Sequence, residues 1–242
     1  MKDNLKSFFE HGANWVRADF HLHTNADKEF IYSGDTDFYN ANYIEALVAS
    51  NIRVGVITNH NKFDYEEFRA LKSTAKKKGI FLLPGVELSV KEGANGVHTL
   101  IVFSDDWLEQ GQDRISPFIT SMFPGKTSEE LKSKNLSSDK GLTETLEELD
   151  KVGRDYFLVF AHVEEPKGLW NELGGGLLSV WKERRYQNIR NRTLGFQKVR
   201  TNDLRQKVKQ WLGGWYPAEI EGSDPKTIGE IGQGSSCFLK LG

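Results

Sequence analysis

Ala18-Asp19-Phe20-His21-Leu22-His23-Thr24 is the stretch on which the reading of this chain turns. Val16 to Phe20 has the composition of a short buried strand, and two histidines stand two residues apart at its carboxyl end. Side chains at i and i+2 of a strand share a face. His21 and His23 can therefore present two imidazole nitrogens to one point, as a divalent cation requires. A His-x-His at a strand edge also arises by accident, so the weight lies in where the other histidines fall.

Working outward, apolar runs of strand length recur at Arg53–Thr58, Ile80–Leu83, Thr99–Phe103 and Tyr156–Ala161, with a shorter one at Ala218–Glu221. Continuous runs of this kind suit strands buried on both faces. Helical stripes lie between them. Tyr39–Ser50 carries Tyr43, Ile44, Leu47 and Val48, and Asp64–Lys78 opens with Asp64 three residues before Glu67 and stops at Gly79. Thr143–Val152 ends at Gly153, Leu204–Leu212 ends at Gly213-Gly214, and Thr227 with Glu230 repeats the capping-box spacing. Strands alternating with helices predict βαβ units and a mostly parallel sheet. Two stretches break the rhythm. Ser104–Lys140, with Pro117, Pro124 and Gly125, reads as an elaborated loop. Glu164–Arg200 contains Gly174-Gly175-Gly176 and then turns basic, with Lys182, Arg184, Arg185, Arg190, Arg192, Lys198 and Arg200.

The chain has 242 residues, a length that one α/β barrel fills, and a formal net charge of -2 that excludes a polyanion-binding protein in bulk. One cysteine, Cys237, excludes an internal disulfide framework and a thiolate metal site, and fits a reducing compartment. No apolar run reaches the length of a membrane span, and Met1–Glu10, with Lys2, Asp3, Lys6 and Glu10, lacks the apolar centre of a secretory signal. The expectation is a single-domain (1–242) cytoplasmic protein without membrane partners, bearing insertions near 104–140 and 164–200.

Of six histidines, all but His11 flank an apolar run. His21 and His23 end the first, His60 follows the second, His98 opens Thr99–Phe103 and His162 closes Tyr156–Ala161. Glu87 follows Ile80–Leu83 in Pro84-Gly85-Val86-Glu87, and Asp224 follows the short late strand in Glu221-Gly222-Ser223-Asp224. Strand ends on one rim of a barrel converge on a common mouth, where chemistry sits. A core histidine satisfied by a carbonyl explains any one of these, but not five together. The ligand set has nitrogen and oxygen without sulfur, which suits Zn, Mn or Fe. His21, His23, His60, Glu87, His98, His162 and Asp224 are too many for one ion. Two or three ions sharing a carboxylate, with Glu87 as the bridge, are expected; such a pair holds a hydroxide nucleophile and neutralises a phosphate oxygen.

Asp19-Phe20-His21-Leu22-His23-Thr24, Thr58-Asn59-His60-Asn61, Pro84-Gly85-Val86-Glu87, His98, Phe160-Ala161-His162 and Gly222-Ser223-Asp224 together resemble, in order and over nearly the whole chain, the PHP (polymerase and histidinol phosphatase) family. The resemblance implies a distorted (β/α)7 TIM-like barrel with a two- or three-metal phosphoesterase centre. It implies His21, His23, Glu87 and Asp224 around a first ion and Glu87, His98 and His162 around a second. For a third ion it implies His60 with Asp27 or Glu29, Asp27 being favoured. Where the family reads Ser-Asp-x-His, this chain reads Ser223-Asp224-Pro225-Lys226, and an ammonium cannot ligate a cation. Lys226 is instead expected to bear on a substrate phosphate, joining Glu87 and Asp224 as catalytic residues. Asn59, in place of the family's aspartate, is expected to loosen His60. Gly222–Leu241 and the lead-in Gly12–Ala18 are similar to PHP domains fused to SMC/AAA-type ATPases, which implies such an ATPase domain as a partner, although no phosphate-loop motif occurs here.

Three functions follow. The first is a nuclease or other phosphodiesterase acting on nucleic acid by hydroxide attack, with Arg184 and Arg185 on the phosphates and Trp181, Tyr186 and Phe196 stacking on bases. The second is a phosphatase for a small monoester, its pocket shaped by Ser104–Lys140. The third is a non-catalytic PHP module. Amidohydrolases also carry His-x-His on a first barrel strand, and Gly85-Val86-Glu87 with Thr58-Asn59-His60 favours the PHP assignment over that one.

Overall fold

The computed structural model describes residues 14–133 and 136–241. Met1–Glu10, His11 and Gly12-Ala13 of the lead-in lie outside the described residues. The strands are β1 (Asn14–Leu22), β2 (Ile52–Ile57), β3 (Phe81–Val90), β4 (Val97–Phe103), β5 (Tyr156–Phe160), β6 (Thr193–Gln197), β7 (Ala218–Ile220) and β8 (Cys237–Leu241). They form one sheet in the order β7-β6-β5-β4-β3-β2-β1-β8. The helices are α1 (Tyr39–Ala49), α2 (Tyr65–Lys77), α3 (Ile115–Met122), α4 (Ser128–Ser133), α5 (Leu142–Val152), α6 (Leu169–Leu178), α7 (Gln187–Arg192) and α8 (Asn202–Trp211). No helix among the described residues is long and apolar enough to cross a membrane.

The sheet curls until its ends meet. The Asp224 N–H donates to the His21 carbonyl (2.9 Å), and the Ser223 amide and hydroxyl reach the Asp19 carboxylate. Gly222 permits this closure, because a β-carbon there would stand 2.6 Å from Gln197 Nε2 and 2.7 Å from the His21 β-carbon. The result is an α/β, TIM-like barrel, as the motif resemblance implies, built on the mostly parallel sheet that the alternation of strands and helices predicts. A large apolar layer joins the helices to the outer sheet face, and a smaller cluster of Ala18, Phe20, Val54, Val56 and Val102 fills the interior.

Two departures from a parallel barrel position the site. β4 is antiparallel to β3 and β5, because the connection 91–96 is too short to carry a crossover helix. Its first residues therefore lie on the rim where the parallel strands end, and His98 is among them. In β1, Asp19 pairs with Gly55 but Leu22 with Ile57, so three residues step against two. This bulge flips the alternation: Phe20 packs in the interior cluster, yet His21 points inward too.

The helices keep close to their expected bounds. Asp64 caps α2 by accepting the Glu67 N–H (3.1 Å), and Gly153 ends α5 in the left-handed conformation. Thr227 makes no side-chain cap; the Glu230 carboxylate instead accepts the Lys226 N–H (2.7 Å). Ser104–Lys140 is not a loop. It contains α3, whose Ile115, Phe118, Ile119 and Met122 are buried, and Pro117 is tolerated in the first turn, where no intrahelical donor is needed. Within Glu164–Arg200, α6, α7 and β6 are ordered. The β6 run was hidden by the flanking basic residues, and β8 by its position beyond the last motif.

Candidate metal centre

One carboxylate organises the site. Glu87, 1% exposed, stands in mid-strand on β3 rather than beyond its end, and five imidazoles surround it. On Oε2 converge His21 Nε2 (2.8 Å), His60 Nε2 (3.1 Å) and His23 Nε2 (3.4 Å); on Oε1, His98 Nδ1 (2.6 Å) and His162 Nε2 (3.5 Å). Asp224 closes the group from the β7 side, its Oδ1 lying 3.0 Å from His23 Nε2 and 3.7 Å from His21 Nε2. Asp27, buried in the loop after β1, takes His60 Nδ1 (2.9 Å) and the His60 N–H (2.6 Å) on Oδ2, with His23 Nδ1 at 3.2 Å. Glu29, the alternative at that place, faces Lys226 instead (3.0 Å).

All eight metal-ligand candidates therefore come together. Three subsets bring their ligand atoms within 4.8 Å of one another: His21, His23 and Glu87; His23, Asp27 and His60; and His60, Glu87 and His98. The last differs from the grouping the family resemblance implies, since His60 faces Glu87 directly while His162 sits 3.3 Å from His98. The residues fit divalent cations on two observations. His162 Nδ1 is buried without a hydrogen-bond partner, and His23 Nδ1 has only the contact to Asp27 at 3.2 Å. Three imidazole nitrogens also crowd a single oxygen of Glu87, more than its lone pairs can serve as ordinary hydrogen bonds.

Several supports were not named as site residues from sequence. Gln197 Oε1 meets His21 Nδ1 (2.9 Å); accepting the Nδ1–H hydrogen bond there fixes the ring with Nε2 toward Glu87, the edge a cation would use. Asp19 accepts the His21 N–H (3.0 Å) and binds Ser223, tying β1 to the Asp224 loop. Asn59 does not loosen His60. Its side chain spans to Thr24, accepting the amide (2.9 Å) and donating to the hydroxyl (2.8 Å), while Asp27 orients the ring. Gln197 and Lys198 were legible only as members of a basic stretch.

The charges interlock. Burial opposes ionisation of Glu87, but the charges of His21 and His60 and the surrounding hydrogen bonds overcome it and hold the carboxyl well below its usual range. Burial likewise opposes charge on His23, and Asp224, Asp27 and Glu87 reverse this, raising it to about 9. On His98 burial wins, and its pKa falls. Lys226 loses some ease of protonation to burial, yet Asp224 (2.9 Å) and Glu29 raise it overall, so it stays an ammonium.

A cavity of about 210 Å³ opens beside His60, between the loop after β2 and the helices of 115–133. Lys28 and Lys62 supply its charge, Phe63, Ile119 and Leu131 its apolar wall. Of the basic stretch, Lys198 reaches Asp224 (3.5 Å), whereas Arg185 and Arg192 pair elsewhere. Arg185 pairs with Glu183 (2.9 Å) and lies over the Tyr186 ring; Arg184 precedes it on the same turn. Arg192 reaches Asp150 (3.3 Å) at the opposite end of the barrel, where β5 begins. Trp181 and Phe196 are buried in the core, and Tyr186 stacks on Trp181, so these rings form no exposed stacking platform.

No protein-family model matches this sequence, and no curated protein matches it. Among solved structures, the chain superposes on a Bifidobacterium adolescentis protein assigned as a metal-dependent phosphoesterase, with TM-score 0.56, 13% identity and 88% of each chain covered. It also superposes on an amidohydrolase from Chromobacterium violaceum with bound sulfate and no metal (TM-score 0.53, 15% identity, 93% of this chain and 92% of that one). A third likeness is to PsfC from Pseudomonas syringae (TM-score 0.50, 14% identity, 90% and 80%). At these identities the likeness is one of fold.

Proposed function

We propose that this chain is a metal-dependent phosphoesterase of the PHP kind. The observation that carries the reading is the shared carboxylate: Glu87 faces imidazoles through both oxygens, as a bridge between ions would. His21, His23, Glu87 and Asp224 would hold one ion, and Glu87 with His60, His98 and His162 another; Asp27 orients His60. Bound divalent cations would supply an acidified water and neutralise charge on a phosphoryl oxygen. The protein's own part is to fix the imidazole edges, through Gln197 and Asp27, and to ring the mouth with ammonium groups. Lys28, Lys62 and Lys226 add positive charge beyond the ions, which suits an anionic ester better than the neutral amide of an amidohydrolase.

For the ester, the cavity beside His60 favours a small phosphate ester. About 150 Å³ holds a benzene-sized group, and 210 Å³ admits a ring or a short chain rather than a duplex. The phosphodiester or nucleic-acid reading keeps only the charge of the 182–209 stretch, since its aromatic residues are in the core. An associated ATPase domain is proposed on the likeness of the closing segment and the lead-in, and a cytoplasmic setting on the lone Cys237.

Chelator-treated protein, reloaded with manganese or zinc, should be assayed on p-nitrophenyl phosphate, bis-p-nitrophenyl phosphate, an oligonucleotide and an anilide. Metal-dependent turnover of the monoester in preference to the rest is expected. Turnover of the anilide with no phosphoester cleavage would reverse the assignment to an amidohydrolase, and no turnover with a full metal complement would favour a binding module.

A further inference from the structure

Two ammonium groups reach Asp224 from different sides. Lys226 Nζ lies 2.9 Å from Oδ1, the oxygen that also faces His23 and His21, while Lys198 Nζ lies 3.5 Å from Oδ2. Lys198 is the first residue after β6 and follows Gln197, which holds His21. Its backbone adopts φ +59, a left-handed conformation that residues other than glycine, asparagine and aspartate seldom take. It is pinned there by the hydrogen bond from its amide to the Ile220 carbonyl (3.1 Å). Asn61, His162 and Asp224 share positive φ and stand at the same rim. Backbone conformations of this cost concentrate where a fold must aim a functional group.

The charge balance gives the lysines something to do. Without ions, Asp224 is the counter-charge of Lys198 and shares Lys226 with Glu29. Once a divalent cation sits among His21, His23, Glu87 and Asp224, that carboxylate is drawn to the ion. Lys198, its side chain 21% exposed, would then be left facing the mouth without that partner, and Lys226, 36% exposed, would keep only Glu29 at 3.0 Å. An incoming anion restores the balance.

Resting on the phosphoesterase reading, we propose that Lys198 is a substrate-binding residue. Together with Lys226 it grips the non-bridging oxygens of a single phosphoryl group on the Asp224 side of the centre. The centre thus has a phosphoryl end built from β6 and β7 and an organic end built from the helices of 115–133.

The test is titration of the full chain, loaded with manganese, with inorganic phosphate, comparing wild type, Lys198→Met and Lys198→Arg, with metal content measured for each. Lys198→Met should weaken phosphate binding about tenfold and raise KM for p-nitrophenyl phosphate in proportion. Metal content and melting temperature should be unchanged, and Lys198→Arg should recover most of the loss. Wild-type protein that binds no phosphate overturns the proposal, as does a Lys198→Met variant that binds it normally or loses its metal. Wild type that binds phosphate through Lys198 yet cleaves no ester supports the anion site and defeats the activity reading alone.

Discussion

Glu87 is the residue on which the others depend, since five imidazoles and no other carboxylate meet both its oxygens. Glu87→Gln keeps the shape but removes the shared charge. Metal analysis should then show loss of the bridged ions, and phosphoesterase activity should fall by roughly a thousandfold, the several kcal/mol that ion-borne charge stabilisation supplies. Asp27→Asn is milder: His60 keeps its place but loses its orienting charge, and metal affinity should drop by about 10- to 100-fold. His23 gives the pH dependence of the metal-free chain. Its folded pKa, about 9, lies above the ordinary 6.5. Charged His23 therefore stabilises the fold fully below pH 6.5, and that contribution is lost as pH rises toward 9. Melting in chelator should fall across this window. With metal the slope should be weaker or reversed, because ligation needs neutral imidazoles and releases protons.

At the scale of elements, the site is made by irregularities. The β1 bulge turns His21 inward, and the reversed β4 carries His98 to the rim. The helix α3 supplies the wall of the cavity from Ser116, Ile119 and Thr120. Thr120 is exposed, so Thr120→Trp should fold and fill that space. KM for aryl phosphates should rise by about tenfold or more, with little change for inorganic phosphate. Equal weakening of both would mean the cavity does not take the organic group.

For the whole molecule, barrel closure and the candidate metal centre share one loop, because the loop that seals β7 against β1 also carries Asp224. Gly222→Ala should cost about 1–3 kcal/mol by forcing Gln197 and His21 apart, and it should weaken metal binding as well. Denaturant midpoint and metal content measured together check the link. Reloading the stripped protein with metal at a hundred times its Kd should add about 2.7 kcal/mol.

The sequence by itself determined the α/β class and a mostly parallel sheet, because buried strands and amphipathic helices announce themselves through side-chain periodicity, and the motif resemblance added the barrel. It also named residues that the fold brings together in the candidate metal centre, since His21, His23, His60, His98, His162, Glu87 and Asp224 each stand beside an apolar run. Only a preference drawn from the family resemblance separates Asp27 from Glu29, since the local spacing fits neither cleanly; the structure turns Asp27 to His60 and Glu29 to Lys226. Only the tertiary structure decided the rest. The direction of β4, the β1 bulge and the pairing of β8 with β1 depend on contacts between distant segments, to which local periodicity is blind. Whether Trp181 and Phe196 face solvent or core, whether α3 hides in a polar stretch, and that Lys198 meets Asp224 are likewise settled by what packs against them. A charge or a ring carries no mark in sequence of the side it faces until the sheet has closed around it.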